Sequence, residues 1–125
     1  MNNPFALIIE DDEDLSLIFS EALIAAQFET EVIQDGGSAA ARLAETAPDV
    51  VVLDLHLPNI SGKEILEQIR GDDRLQHTRV MLATADALMA QSLRGDADLV
   101  LLKPVSFSQL RDLAKRLYPV EPALE

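Results

Sequence analysis

Five short strand-like runs, four of them apolar, alternate with stripes of helical spacing and constrain this chain more than any other feature. The runs are Phe5-Ala6-Leu7-Ile8-Ile9, Glu29-Thr30-Glu31-Val32-Ile33, Val50-Val51-Val52-Leu53, Val80-Met81-Leu82-Ala83 and Leu99-Val100-Leu101-Leu102. Unbroken apolar runs of this length suit strands covered on both faces, as in a parallel sheet. Glu29 to Ile33 alternates instead and reads as an edge strand. Between the runs, Leu15, Ile18, Phe19, Ala22 and Ala26 recur at three- and four-residue steps and form one apolar stripe. Ser38 to Ala47 reads as a second helix, stopped before Pro48. Ile65, Leu66 and Ile69 give a third, and Ala87 to Leu93 a fourth. Phe107, Leu110, Ala114 and Leu117 give a fifth, ended by Pro119. Strand and helix thus alternate five times, which predicts a doubly wound α/β fold with right-handed crossovers.

The 125 residues suit one domain. We expect it over 1–118, with 119–125 a proline-punctuated tail or linker stub. The absence of cysteine removes disulfide scaffolds, thiolate metal sites and thiol nucleophiles, and two histidines are too few for an all-histidine metal centre. Ten basic against 22 acidic residues give a net charge of −12. Such a chain repels a phosphate backbone, so direct nucleic-acid binding is not expected. No stretch approaches the ~20 continuous apolar residues of a membrane helix. Met1-Asn2-Asn3-Pro4 also lacks the basic segment and apolar core of a signal peptide, and the expectation is a cytoplasmic location.

In open α/β sheets, ligands bind outside the carboxyl ends of the strands. Those ends carry Glu10-Asp11-Asp12, Asp54, Thr84 and Lys103. Singly, each has a plain structural explanation, since acids favour helix N-termini and threonine is common in strands. Four of five strands ending in polar groups on one rim need more. Like charges near 4 Å repel by several kcal/mol at intermediate dielectric, so clustered carboxylates imply a cation. Carboxylate oxygens with room for water suit Mg²⁺ or Mn²⁺. A hard cation beside an aspartate, a lysine and a hydroxyl is the equipment of phosphoryl transfer, with Asp54 as nucleophile and an acyl phosphate as product.

Ile8-Ile9-Glu10-Asp11-Asp12, the stretch from Val52 through Asp54 to Gly62, Ala83-Thr84-Ala85 and Leu102-Lys103-Pro104 resemble the receiver domain of bacterial two-component response regulators. Asp11, Asp54, Thr84 and Lys103 stand 43, 30 and 19 residues apart, in the family's usual register. The resemblance covers about Phe5 to Leu117. It implies a flavodoxin-like sheet of order 2-1-3-4-5, metal-binding acids at Glu10 and Asp11, and a phosphoacceptor at Asp54. It further implies a metal-ligating backbone carbonyl at His56, a switch hydroxyl at Thr84 and a phosphate-pairing Lys103 joined to Pro104 by a cis bond. Asp12 we read as a helix-entry acid, Gly62 as the point where the loop turns closely, and His77 as inert. The implied partners are a histidine kinase or phosphotransfer protein, and an output protein or attached effector domain.

The chain departs from the family at Val100, where an aromatic ring is usual, and at Val105, where phenylalanine is frequent. His56 and Asp86 occupy positions that tune acyl-phosphate lifetime in the family. With Leu15, Phe19, Ala22 and Ala26 facing the sheet, Leu17 and Ile24 fall on the opposite side of the first helix. Together with the loop carrying Val105, they form the expected partner surface. The implied activity is a signalling switch, not an enzyme, catalysing only its own phosphorylation and slow dephosphorylation. Two other readings compete. An aspartyl-phosphate phosphatase of the haloacid dehalogenase type needs a second aspartate where this chain has His56. A receiver-like interaction module indifferent to phosphate would have no use for Glu10, Asp11, Asp54, Thr84 and Lys103 together.

Overall fold

The computed structural model describes residues 3–119, so positions 120–125 of the expected tail lie outside the described residues. Strands and helices alternate as β1 (Phe5–Ile9), α1 (Glu13–Ala25), β2 (Glu29–Ile33), α2 (Gly36–Glu45), β3 (Val50–Asp54), α3 (Gly62–Arg70), β4 (Arg79–Thr84), α4 (Ala87–Ser92), β5 (Leu99–Leu102) and α5 (Phe107–Leu117). A single 3₁₀ turn, Asp73–Leu75, lies between α3 and β4. The five strands form one parallel sheet of order β2-β1-β3-β4-β5, with the alternating strand β2 at its edge.

Period-two alternation divides the strand side chains between two cores. Ala6, Ile8, Val50, Val52, Met81, Ala83 and Leu101 meet Phe19, Ala22 and Leu23 of α1 and Leu110 and Ala114 of α5. On the other face, Leu7, Ile9, Val51, Leu53, Val80 and Leu82 meet Ala39 and Leu43 of α2 and Ile65, Leu66 and Ile69 of α3. Both faces of the central strands are therefore dry, which is why their sequences read as unbroken apolar runs.

Side chains cap the N-termini of all five α-helices: Asp12, Asp35, Ser61, Asp86 and Ser106 each accept a backbone N–H three residues on. Asp12 is thus the helix-entry acid expected. Two expectations need correcting. Helix α2 starts at Gly36, ahead of Ser38, because Asp35 caps it (Oδ1 to Ser38 N, 2.8 Å), and it ends at Glu45. Ile18, placed in the buried stripe of α1, is exposed. The helix touches the sheet along Phe19, Ala22 and Leu23, and Ile18 falls on its flank.

Candidate functional site

The strand register fixes which side chains meet. Ile9 pairs with Leu53, Asp54 with Ala83 and Thr84 with Leu102. Glu10 follows β1 directly, Asp54 and Thr84 close β3 and β4, and Lys103 follows β5, so all four emerge at the carboxyl edge. The strand order reverses direction between β1 and β3, and the acids flank that switch point.

Carboxylate oxygens of Glu10, Asp11 and Asp54 lie within 4.8 Å of one another. Glu10 is 1% and Asp54 2% exposed, while Asp11 faces solvent. Two unit charges at that separation repel by about 3–4 kcal/mol at an effective dielectric near 20. Lys103 answers part of this: its Nζ lies 2.9 Å from Glu10 Oε1 and 3.4 Å from Asp54 Oδ1. Glu10 Oε2 accepts the Asp12 N–H at 3.2 Å, and Asp54 Oδ1 accepts the His56 N–H at 3.2 Å. Glu10 Oε1 is buried and has no hydrogen-bond partner beyond its ion pair with Lys103.

These surroundings shift the titration of the pair. Burial pushes the Glu10 carboxyl up to about 7, with neighbouring Asp54 adding to the rise and the Lys103 ammonium opposing it. Burial works against the charge on Lys103, but Glu10 and Asp54 outweigh it, and its pKa lies above the ordinary lysine value.

Thr84 is fully buried, and its Oγ1 accepts the Asp86 N–H at 3.0 Å. Asp86 Oδ1 in turn accepts the Met89 N–H at 3.0 Å, so the threonine hydroxyl is tied to the cap of α4. The Thr84 carbonyl accepts the Lys103 N–H at 2.8 Å, and the Lys103–Pro104 bond is cis as expected. Gly62 also behaves as expected: a Cβ there would stand 2.3 Å from the Asp54 carbonyl oxygen.

The structure brings Glu10, Asp11, Asp54 and Lys103 together, with Thr84 on the same edge. The His56 side chain is exposed beside them. Val100 is half-buried against the core that packs α2 and α3, and Pro104 is exposed. Leu17 and Ile24 are 59% and 56% exposed, on the outer face of α1. Val105 corrects the expected partner surface. It is only 6% exposed and packs with Leu101, Leu110 and Ala114, so it anchors the β5–α5 loop and offers a partner almost nothing. His77 lies in the loop before β4, at the opposite end of the sheet from the acids.

One contact escaped sequence reasoning. Gly36, at the start of α2, abuts the loop between β3 and α3. The signal was an aspartate followed by two glycines, Asp35-Gly36-Gly37, directly after a strand.

The residues present suit a hard divalent cation. The donor set is oxygen only, two of its three acids are buried, and one buried oxygen has no partner beyond the Lys103 ion pair. Among the described residues, no helix is long and apolar enough to cross a membrane.

Comparison with known proteins agrees with this geometry. The family model of the response regulator receiver domain matches residues 6–115. The phosphate regulon transcriptional regulatory protein PhoB of Rhizobium meliloti is 32% identical over 117 residues; the match takes in 91% of this chain and 52% of that protein. The polar-differentiation response regulator DivK of Brucella anthropi is 30% identical over 112 residues, 87% of this chain and 91% of its own length. The chain thus spans about half of one relative and nearly all of the other. The chemotaxis response regulator CheY4 of Vibrio cholerae superposes with a TM-score of 0.84 at 23% identity, covering 93% of this chain and 99% of that one, a likeness of fold. Response regulator TrrA of Thermotoga maritima, solved in complex with Mg(2+)-BeF, gives 0.80 at 25% identity, with 94% and 99% covered. With sheet order, rim residues and matched sequence all in one register, the chain belongs to the response regulator receiver domains of two-component systems.

Proposed function

We propose that this chain is a phosphorylation switch in which Asp54 accepts a phosphoryl group from a histidine-bearing donor protein. The observation that carries the reading is the buried Asp54 carboxylate, with Lys103 Nζ 3.4 Å from its Oδ1 and two further carboxylates beside it. A free Asp54 oxygen attacks phosphorus in line, an O–P bond forms, and the P–N bond to the donor imidazole breaks with its electron pair returning to the ring. Lys103, already positioned between Glu10 and Asp54, pairs with the charge that the incoming phosphoryl oxygens bring. Thr84 Oγ1 then turns to donate its O–H to the new phosphate and gives up the Asp86 N–H, and α4 loses a tie at its cap. Glu10, Asp11, Asp54 and the His56 carbonyl would hold Mg²⁺ or Mn²⁺. A divalent ion there supplies charge neutralisation of the phosphoryl oxygens. The complex of TrrA with Mg(2+)-BeF supports Mg²⁺ as the first choice.

Output passes to a protein partner or an attached effector domain, and the work is signalling in the cytoplasm, not turnover of an external substrate. We assign Leu17 and Ile24 to the surface that meets the donor protein. The phosphatase reading is not adopted, since His56 stands where its second acid belongs. Incubation with acetyl phosphate tests the proposal: labelling should require Mg²⁺ and vanish in chelator. Labelling indifferent to the metal would overturn it.

A further inference from the structure

The loop that joins β3 to α3, residues 55–61, is confined from two sides by backbone that leaves no room for a side chain. On one side is Gly62, whose N–H donates to the Leu55 carbonyl at 3.1 Å. On the other is Gly36, the first residue of α2, whose N–H donates to the Pro58 carbonyl at 3.0 Å. Gly36 is buried, and a Cβ on it would stand 1.8 Å from the Ile60 carbonyl oxygen, 2.6 Å from the carbonyl carbon and 2.8 Å from Ile60 Cβ. The two nearest atoms are backbone, so no rotamer change relieves the overlap; a loop must move. Gly95, in the turn between α4 and β5, is different: a Cβ there meets nothing within 4 Å.

The seat of Gly36 is itself well defined. Asp35 caps α2 through Ser38 N at 2.8 Å and bonds the Ser38 hydroxyl at 2.8 Å. The preceding strand is held beside the site, since Glu10 N donates to the Ile33 carbonyl at 3.0 Å. Backbone contacts therefore run from β2, through Gly36, to the loop that begins immediately after Asp54.

We infer that Gly36 is a positioning residue for the phosphoryl-transfer site: its bare backbone sets where the β3–α3 loop, with the His56 carbonyl, stands relative to Asp54. The inference rests on the proposed function, because it concerns that same site. A substitution at Gly36 shifts the loop, and groups that orient metal ligands typically change affinity by about 10–100-fold when altered.

The test compares Gly36→Ala, Gly95→Ala and the unaltered chain. Mg²⁺ affinity is read by calorimetric titration, and the rate of acetyl phosphate labelling at saturating Mg²⁺ is read separately. Gly36→Ala should bind Mg²⁺ at least about tenfold more weakly and label more slowly, while Gly95→Ala matches the unaltered chain. A glycine needed only for packing would lower the melting temperature and leave affinity and rate unchanged, which overturns the inference. Should Gly36→Ala fail to fold, Asp35→Ala decides, because it removes the cap that seats Gly36 and adds no atom. It should weaken Mg²⁺ binding in the same direction, by up to about tenfold, and unchanged binding overturns the inference. Failure of the unaltered chain to label would instead strike at the proposed function, a distinguishable result.

Discussion

The carboxyl of Glu10 sits where burial and a neighbouring aspartate both oppose its charge, and Lys103 only partly compensates. Its pKa rises from 4.5 to about 7, so the folded chain holds a proton that the unfolded chain has released. The stability this group contributes is fully present below about pH 4.5 and is lost as pH rises through about 7. Replacing it with glutamine removes the titration. In metal-free buffer, Glu10→Gln should therefore gain on the unaltered chain by up to about 3 kcal/mol between pH 4.5 and 8. Urea unfolding at a series of pH values checks this, and parallel curves for the two proteins would contradict it. Other residue roles follow from geometry. Thr84 Oγ1 has one donor, the Asp86 N–H, and Asp54 Oδ1 has another, the His56 N–H. The acids at the rim were legible in the sequence because each directly ends or follows an apolar run. Val105 was not, because a residue two places after Lys103 gives no sign in sequence that its loop folds back onto α5.

At the scale of elements, α1 has two faces with different tasks. Phe19, Ala22 and Leu23 bury against the sheet, while Leu17 and Ile24 stand out into solvent. A few residues carry most of the energy of a protein contact, and those buried at its centre cost the most to truncate. Leu17→Ala and Ile24→Ala should each slow phosphotransfer from the cognate protein by about tenfold or more, the equivalent of losing ≥ ~1.4 kcal/mol of contact. Labelling by acetyl phosphate, which needs no docking, should keep its rate. Equal loss in both reactions would show a damaged fold, and no loss would move the docking site off this face. The strands were legible because burial on both sides leaves nothing but apolar residues in their centres. Helix boundaries were harder. Helix α2 begins at a glycine pair that looks like a loop until the Asp35 cap is seen, and Ile18 matches the spacing of the stripe while lying on its flank.

Over the whole molecule the net charge is −12, and three carboxylates gather at one site. A cation that binds only the folded chain stabilises it, by about 2.7 kcal/mol at a hundred times its Kd. Mg²⁺ should accordingly raise the melting temperature by several degrees. Asp11→Asn should raise the melting temperature of the metal-free protein and abolish the Mg²⁺ response, and a response kept in that variant would place the metal elsewhere. The architecture was the most legible level of all, since alternating strands and helices leave few ways to cover a parallel sheet. What the sequence could not display was the contact of Gly36 with the β3–α3 loop, because it joins residues that only the sheet order brings side by side. Asp54 is the single phosphoacceptor proposed for the whole molecule. Intact-mass measurement after acetyl phosphate and Mg²⁺ should show one added phosphoryl group on the unaltered chain and none on Asp54→Asn, whereas undiminished labelling of the variant would contradict the assignment.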